Sequence, residues 1–262
     1  MPTFRSGNAD IAYDVTGEGE PLLMIMGFGA DSRMWMLQTA VFAKRYRCIT
    51  FDNRGVGGSS LPDGRVSMGM MADDAIALLD HLGIGRAHVL GISMGGAIAQ
   101  HVALRAPERV RTLILAATWC AKNPYTERIA ELGRGILRTL GREALVRSLM
   151  LWLFTPGFLI NNAESADAVE ALFLQFPVPE NAFLAQLDAL LQHDVSEHLG
   201  SLQVPTRVLT GRRDTLVPPE LCEQLAAAIP KAELVVTETG HAFNVEEMDV
   251  FNRSVLEFLD RH

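Results

Sequence analysis

A serine flanked by glycines is the first group in this chain that could act as a nucleophile. Within "HVLGISMGGAIAQHVAL" (88–104), residues 91–95 fit the pattern G-x-S-x-G around Ser93. An apolar run precedes the pattern and a helical apolar period follows it, which predicts a sharp turn from strand to helix. Such a turn exposes the hydroxyl, and it needs glycines where a side chain would clash. A serine that only caps a helix would fit the same letters, so the partners of Ser93 decide between the two.

A serine hydroxyl is a poor nucleophile until a base takes its proton. Among the seven histidines, His241 lies in "TETGHAFNVEE", on a glycine-containing loop after the last predicted strand and before a helix. Catalytic groups collect at the carboxyl ends of parallel strands, so His241 is the predicted base. A loop histidine that only caps the helix is the alternative. His88 falls within a strand and is expected to pack in the core.

The base needs an acid that orients its ring and stabilises its cation. "LTGRRDTLVPPE" places Asp214 just beyond another predicted strand. The chain order Ser93, Asp214, His241, with each residue at the end of a strand, is one in which such triads occur. Asp214 could instead cap a turn or pair with the neighbouring Arg212 or Arg213.

The negative charge that develops on a substrate carbonyl oxygen needs fixed donors. The backbone N–H of Met94, directly after the serine, would supply one donor at the start of a helix, where the helix dipole helps. The loop "MGFGADSRMW" after the strand 21–27 offers the N–H of Phe28 as the second. Its neighbours Gly27 and Gly29 would let the backbone approach a ligand. An ordinary glycine turn is the alternative for this loop.

Short β-rich runs alternate with helical periods and must position these groups. "TFRSG" and "IAYDVTG" predict two strands that could form a hairpin. Further strands are predicted at 21–27, 46–52, 86–92, 110–118, 206–211 and 233–238, and helices at 71–84, 94–105, about 218–228 and in "EEMDVFNRSVLEFLDRH". This alternation predicts an α/β fold whose mostly parallel sheet is covered on both faces.

One interval breaks the alternation. From Cys120 to about Gly200 no strand is predicted, and helical patterns occupy 125–140, 142–153, 164–175 and 180–193, with "FTPGF" and "FPVPEN" as breaks. A structureless loop of this length would be improbable, so residues 120–200 are predicted to form a helical cap. The cap would divide the sheet-bearing core into residues 1–119 and 201–262.

A cap over a catalytic serine must also form the roof of its pocket, and pockets are mostly apolar. The cap contributes "LMLWLFTPGFLI" and "ALFLQFPVP". The predicted pocket residues from the cap are Trp152, Phe154, Phe158 and Phe173. Phe28 and Trp35 are predicted to join them from the loop "MGFGADSRMW" (26–35). A small or medium apolar or cyclic substrate is therefore expected over a highly charged one. Five cap arginines leave a cationic roof open as the alternative: Arg128, Arg134, Arg138, Arg142 and Arg147.

Composition narrows the class of protein. The 262 residues are 48% hydrophobic and 21% charged, with a net charge of −8 and no basic block, so nucleic acid is not an expected partner. No apolar stretch reaches the roughly 20 residues of a membrane span, and the N-terminus lacks the apolar stretch of a secretory signal. The three widely spaced cysteines (Cys48, Cys120 and Cys222) are typical of reduced thiols, which predicts a cytoplasmic protein.

Over nearly its whole length the chain resembles the α/β-hydrolase superfamily. "FDNRGVGGSS" (51–60) is similar to the D-x-R-G-x-G-x-S loop after the fourth strand of many members, and "GISMGG", "GRRDTLVPP" and "TGHAFNVEE" are similar to their nucleophile, acid and histidine segments. The chain looks closest to 3-oxoadipate enol-lactonase-like hydrolases and aclacinomycin-type methylesterases, through its Met-Gly-x-Gly loop and Trp35. Many members have His-Gly where this chain has Met26-Gly27. Met26 cannot take over a role of that histidine's side chain, whereas the backbone N–H role of the loop is unaffected.

The resemblance implies an α/β-hydrolase fold with a cap inserted after the sixth strand, and a serine hydrolase that cleaves an ester or lactone. Ser93 would attack the carbonyl with His241 as base, Phe28 and Met94 would hold the oxyanion, and water would release the acyl-enzyme. No metal or organic cofactor is implied, and the partner is a small molecule. The same triad in similar proteins supports C–C bond hydrolysis or cofactor-free perhydrolysis, and the same fold can serve as a ligand receptor.

Overall fold

The computed structural model describes all 262 residues and contains one eight-stranded sheet. In chain order the strands are β1 (Thr3–Ser6), β2 (Ala9–Thr16), β3 (Glu20–Ile25), β4 (Tyr46–Phe51), β5 (Ala87–Ile92), β6 (Val110–Ala116), β7 (Thr206–Gly211) and β8 (Glu233–Thr237). Their order across the sheet is β1-β2-β4-β3-β5-β6-β7-β8. β1 and β2 form the predicted antiparallel hairpin, β2 pairs antiparallel with β4, and every other pair is parallel. The predicted mostly parallel sheet is confirmed.

Ten α-helices accompany the sheet. They are α1 (Met36–Phe42), α2 (Met68–His81), α3 (Met94–Arg105), α4 (Pro124–Leu153), α5 (Pro156–Asn161), α6 (Ala163–Gln175), α7 (Glu180–Leu191), α8 (Pro219–Ala228), α9 (Phe243–Glu246) and α10 (Met248–Leu259). The predicted C-terminal helix (246–262) corresponds to α10, and the short helix α9 that precedes it was not predicted.

Both faces of the sheet are buried because its side chains alternate between two cores. In β3, Leu23 and Ile25 face a core built with α2, α3 and α8. Leu22 and Met24 face a second core that includes Phe42 and side chains of α10. This alternation is the two-residue period of a strand, and helices on both sides satisfy it.

The helices α4 to α7 lie between β6 and β7 and are called the cap below. Within α4, Gly141 has φ +84°, a left-handed conformation that interrupts the helix at the predicted break between 140 and 142. The segment "FTPGF", predicted only as a break, contains the start of α5. Thr155 caps that helix by accepting a hydrogen bond from the Phe158 N–H, and Pro156 occupies its first turn.

The two chain segments that connect the cap to the sheet run side by side. Ala121 and Asp194 form an isolated antiparallel bridge. The Lys122 N–H donates to the His193 carbonyl over 2.9 Å, and the Val195 N–H donates to the Cys120 carbonyl over 2.9 Å. The cap is therefore joined to the sheet through one short, hydrogen-bonded neck. No helix in the structure, in the cap or outside it, has both the length and the apolar character needed to cross a bilayer.

Candidate active site

Ser93 occupies the sharp turn that the sequence predicts. It follows β5 and precedes α3, with φ +55° and ψ −124°. Its N–H donates to the Ala116 carbonyl of β6 over 2.8 Å, which holds the turn against the sheet. A non-glycine residue in this conformation costs about 1–3 kcal/mol and persists only where its surroundings enforce it. The Ser93 side chain does not cap α3, so the alternative of a capping serine is wrong.

The glycines around Ser93 are required by close backbone contacts. A Cβ atom at Gly91 would lie 2.2 Å from the Gly95 carbonyl oxygen, and a Cβ at Gly95 would lie 2.0 Å from the Ile25 carbonyl oxygen. Both distances are far below van der Waals contact, so neither position accepts a side chain. The turn therefore packs α3 directly onto β3 and β5.

Asp214 and His241 form a hydrogen-bonded pair at the carboxyl ends of β7 and β8. The Asp214 Oδ2 lies 2.8 Å from the His241 Nδ1, and both side chains are buried. The Asp214 Oδ1 accepts hydrogen bonds from the N–H groups of Leu216 and Val217, each over 2.8 Å. A carboxylate held in this way favours the tautomer with hydrogen on Nδ1 and leaves Nε2 free to accept a proton.

Of the alternatives for Asp214, the turn cap is present beside the bond to His241, through Oδ1, and the pairing with a neighbouring arginine is absent. The Arg212 guanidinium pairs with Glu238 over 2.8 Å, and no arginine pairs with Asp214. His88, expected in the core, is fully buried in the sheet, where its Nδ1 lies 2.8 Å from the Thr112 hydroxyl.

The two backbone N–H groups predicted as oxyanion donors, one on the loop after β3 and one at the start of α3, are both unpaired. Neither the Phe28 N–H nor the Met94 N–H donates to a protein acceptor. The next N–H along the loop, that of Gly29, is already bonded to the Gln186 Oε1 over 3.1 Å. The Gln186 amide nitrogen donates in turn to the Arg54 carbonyl over 2.9 Å, and its side chain is fully buried. This cap residue therefore anchors the loop that carries Phe28.

A cavity of about 380 Å³ lies between the cap and the carboxyl end of the sheet, and both Ser93 and His241 border it. Of the predicted pocket residues, Phe28, Phe154 and Phe173 line this cavity. Trp152 lines a smaller cavity of about 80 Å³ that also reaches Ser93. Leu145, Leu149 and Leu153, which also border the large cavity, were not predicted, although their four-residue spacing places them on one face of α4.

Two predicted pocket residues border neither cavity, and those predictions are wrong. Trp35 is fully buried in the core that α1 and α10 share with the sheet, because the helical turn that carries it directs the ring inward. Phe158 stacks on Phe154 with their ring centroids 4.8 Å apart, and so supports a cavity residue from behind. An aromatic-rich segment predicts burial, but only packing decides which rings border a cavity.

One of the five cap arginines, Arg142, borders the cavity. Its guanidinium donates to the carbonyl oxygens of Phe173 and Leu174, at the carboxyl end of α6. A cation in this position satisfies free carbonyls and interacts favourably with the helix dipole. The side chain of Arg142 is thus engaged in holding α4 to α6.

The other cap arginines lie away from the cavity. Arg134 pairs with Asp188, Arg147 with Glu143 and Glu170, Arg128 donates to the Pro124 carbonyl, and Arg138 is exposed.

The two fully buried cysteines are not candidates for a nucleophile. Burial raises the pKa of the Cys48 thiol and of the Cys222 thiol to about 12, so both stay protonated near neutral pH. No group of three or more His, Cys, Asp or Glu side chains is arranged to hold a metal ion.

A parallel sheet with a helical cap after the sixth strand, and a serine on a tight turn between strand and helix, define the α/β-hydrolase class. The family model described as "alpha/beta hydrolase fold" matches residues 20–134. A protein of Azorhizobium caulinodans named "Putative carbamate hydrolase RutD" is 34% identical over 259 residues, covering 98% of each chain. The chain belongs to the α/β-hydrolase family, which confirms the resemblance seen in its sequence.

Solved structures agree with this membership. The enol-lactonase from Burkholderia xenovorans superposes with a TM-score of 0.92 at 25% identity, covering 99% of this chain and 100% of the enol-lactonase. A thermophilic esterase from Thermogutta terrifontis superposes with a TM-score of 0.87 at 29% identity, covering 99% and 96% of the two chains. The protein is therefore a hydrolase of a family whose similar structures include a lactonase and an esterase.

Proposed function

We propose that this hydrolase cleaves a carboxylic ester or lactone of a small to medium, mainly apolar or cyclic substrate through an acyl-enzyme on Ser93. The observation that carries the proposal is the buried Asp214–His241 pair, whose His241 borders the same cavity as the strained Ser93. The named lactonase and esterase among similar structures support the substrate class.

The chemistry follows from the atoms in place. The His241 Nε2 takes the Ser93 proton while the Oγ forms a bond to the substrate carbonyl carbon. The oxyanion accepts hydrogen bonds from the Phe28 and Met94 N–H groups. The C–O bond to the leaving group then breaks, and the proton on His241 passes to the departing alkoxide. In the second half, His241 activates a water that displaces Ser93 and releases the acid.

The cavity supports an apolar substrate. Hydrophobic side chains dominate its lining, and Arg142, the cation that borders it, is bonded to the end of α6. Exposed Glu180 also borders the cavity and would repel a carboxylate. These charges do not form the free cationic site that a dicarboxylate substrate would need.

Carbamate hydrolysis is a second candidate, favoured by the 34% identity to the protein named for that activity over 98% of both chains. A carbamate ester also presents a carbonyl carbon bonded to a leaving oxygen, so the same sequence of attack, loss of the leaving group and hydrolysis would apply to it.

We also propose that residues 120–200 act as a cap domain on a hydrolase core formed by 1–119 and 201–262. The support is the narrow neck at Ala121 and Asp194, through which the chain leaves the sheet and returns. In this arrangement the core supplies the reacting groups and the cap supplies most of the pocket roof.

The test combines turnover with trapping of the intermediate. The purified protein would be assayed on neutral esters, matched anionic lactones, carbamate esters, a ring-fission diketone, and an acid plus peroxide. We expect the highest kcat/KM on the neutral esters, and acylation of Ser93 detected by peptide mass analysis after rapid acid quenching. Turnover that is confined to the diketone or to peroxide, or that is unchanged in Ser93→Ala, would overturn the proposal.

A further inference from the structure

The smaller cavity opens a second direction from Ser93. It has a volume of about 80 Å³ and shares six lining residues with the large cavity, among them Ser93, Phe28 and Phe183. The ring centroids of Phe28 and Phe183 lie 4.5 Å apart, and both residues line both cavities. The reacting serine therefore stands where two chambers of very different size meet.

The base borders only one of these chambers. His241 lines the large cavity and does not line the small one. Because His241 must give its proton to the departing oxygen, the leaving group has to lie on the side of the large cavity. The remaining substituent of the carbonyl carbon, the acyl chain, then points to the small chamber.

The small chamber is apolar and short. No charged side chain lines it, and the rings of Trp119 and Trp152 form part of its wall. The Thr126 hydroxyl at its edge is already bonded to the Asn123 backbone. At about 30 Å³ of liquid volume for each water, the space corresponds to roughly two or three water molecules. A chain of about two to four carbon atoms would fill it.

We infer that the small chamber is the acyl site, and that the enzyme prefers open-chain esters of short apolar acids with larger apolar alcohols. This inference rests on the proposed function and narrows it. Ser93 Oγ bonds to the carbonyl carbon of the short acid, the bond from that carbon to the oxygen of the larger alcohol breaks, and His241 passes the Ser93 proton to the departing alkoxide. A lactone joins both halves in one ring and cannot place them in separate chambers.

The test is a pair of ester series on the wild-type protein. One series holds 4-nitrophenol constant and lengthens the acid from acetate through butanoate and hexanoate to octanoate. The other holds acetate constant and enlarges the alcohol from methyl to benzyl and naphthyl. We expect kcat/KM to be highest for acids of two to four carbons and to fall at least about tenfold by octanoate. The alcohol series should show no such loss.

Gly133 provides a variant that fills the chamber. It lies on α4 and lines the small cavity but not the large one. A Cβ added there would have the Leu145 Cδ1, at 3.8 Å, as its nearest neighbour, so a side chain fits at its root and extends into the available space. Gly133→Leu should lower kcat/KM on butanoate at least about tenfold more than it lowers kcat/KM on acetate, because the added side chain takes the space that the longer acyl chain needs.

A matched control exists on the same helix. Gly135 is exposed, and a Cβ added there would meet no atom within 4 Å. Gly135→Leu makes the same change in helix propensity and should leave the acid-length profile as in the wild type. Trp152→Ala removes a large ring from the chamber wall and should shift the optimum toward hexanoate, which keeps the test decisive if Gly133→Leu fails to fold.

The outcomes separate the two proposals. Ester turnover that depends on Ser93 but shows a flat or rising acid-length profile would overturn the acyl-site assignment and leave the proposed function standing. If Trp152→Ala changed the preference among alcohols and left the preference among acids as in the wild type, the assignment would also be overturned. Absence of any ester hydrolysis would overturn the proposed function and this inference with it.

Discussion

The carboxyl end of the sheet is more closely packed than the cap. Around the sheet's carboxyl end, added Cβ atoms would meet backbone at 2.0–2.3 Å at Gly91, Gly95 and Gly211. The cap's own buried cluster has only four members, and large apolar side chains such as Leu140 and Ile160 are more than two-thirds exposed. The backbone that carries the groups proposed to react is therefore closely packed. The cap, which forms the roof of the cavity, buries fewer of its own side chains.

Polar contacts tie the two regions together at a few points. Gln186 of α7 bonds the backbone of the Phe28 loop and of Arg54. On the opposite side, the Glu246 carboxylate accepts hydrogen bonds from the Gly240 N–H of the His241 loop and from the hydroxyl and N–H of Thr155 at the start of α5. The cap therefore contacts both the loop of the proposed oxyanion donor and the loop of the proposed base.

The largest loss of activity should come from changes in the closely packed region at the carboxyl end of the sheet. Ser93→Ala and His241→Ala should each lower kcat by on the order of 10⁶, and the double variant should be little worse, because the two side chains act as one unit. Steady-state kinetics on the best ester of the panel measures this. Losses in the double variant that multiply would show that the two residues do not share one step.

Asp214→Asn should lower kcat by about 10⁴, because an amide at this position favours the wrong tautomer of His241. The fold should be retained, since the amide oxygen can still accept from the N–H groups of Leu216 and Val217. Thermal unfolding followed beside the kinetics checks both statements. Near-native turnover would show that another acid orients the base.

Gln186→Leu tests whether a cap residue holds the loop of the proposed oxyanion donor, Phe28, in position. The change keeps the side-chain volume and removes both hydrogen bonds to the sheet loops, so the Phe28 N–H should lose its fixed position. We expect kcat to fall by about 10- to 100-fold, less than the loss from deleting a whole oxyanion donor. Gln192→Leu, the same change at an exposed position one turn and a half further on, is the control and should keep wild-type kinetics. A change in KM alone would place Gln186 in substrate binding.

The smallest predicted effect concerns the neck of the cap and pH. The His193 side chain lies buried there, with Nε2 donating to the Trp119 carbonyl over 3.2 Å and Nδ1 at 3.3 Å from the His101 Nε2. Burial, with the nearby His101 as a second cause, lowers the pKa of His193 from 6.5 to about 4. Between these values the unfolded chain binds a proton that the folded chain excludes, so the free energy of unfolding falls as the pH drops.

The loss between pH 7 and pH 5 should be about 2 kcal/mol from His193. Urea unfolding at the two pH values measures it, and His193→Gln should flatten the dependence. His198→Gln alters an exposed histidine in the next turn of chain and should leave the dependence unchanged. An equal slope in wild type and His193→Gln would show that this histidine is not responsible.

Much of the architecture is predictable because it depends on local pattern. The strand periods, the break at Gly141 and the glycines around Ser93 are dictated by side-chain alternation and by backbone conformations that few residues adopt. The ends of parallel strands share one edge of the sheet, so predicting β5, β7 and β8 was enough to expect Ser93, Asp214 and His241 on that edge.

The pocket could not be predicted to the same degree. The clustering of aromatic residues after β3 and in the cap predicts Trp35 and Phe158 in the pocket, yet both side chains are buried in cores. Gln186 carries no motif, and its role appears only when α7 lies against the Phe28 loop. The sheet, the turn at Ser93 and the chain order of the proposed triad are predictable from the amino-acid sequence, because each depends on neighbours within a few residues or on strand order. The side chains that face the two cavities are known only from the folded chain, because they depend on how cap helices distant in sequence rotate and pack against the sheet.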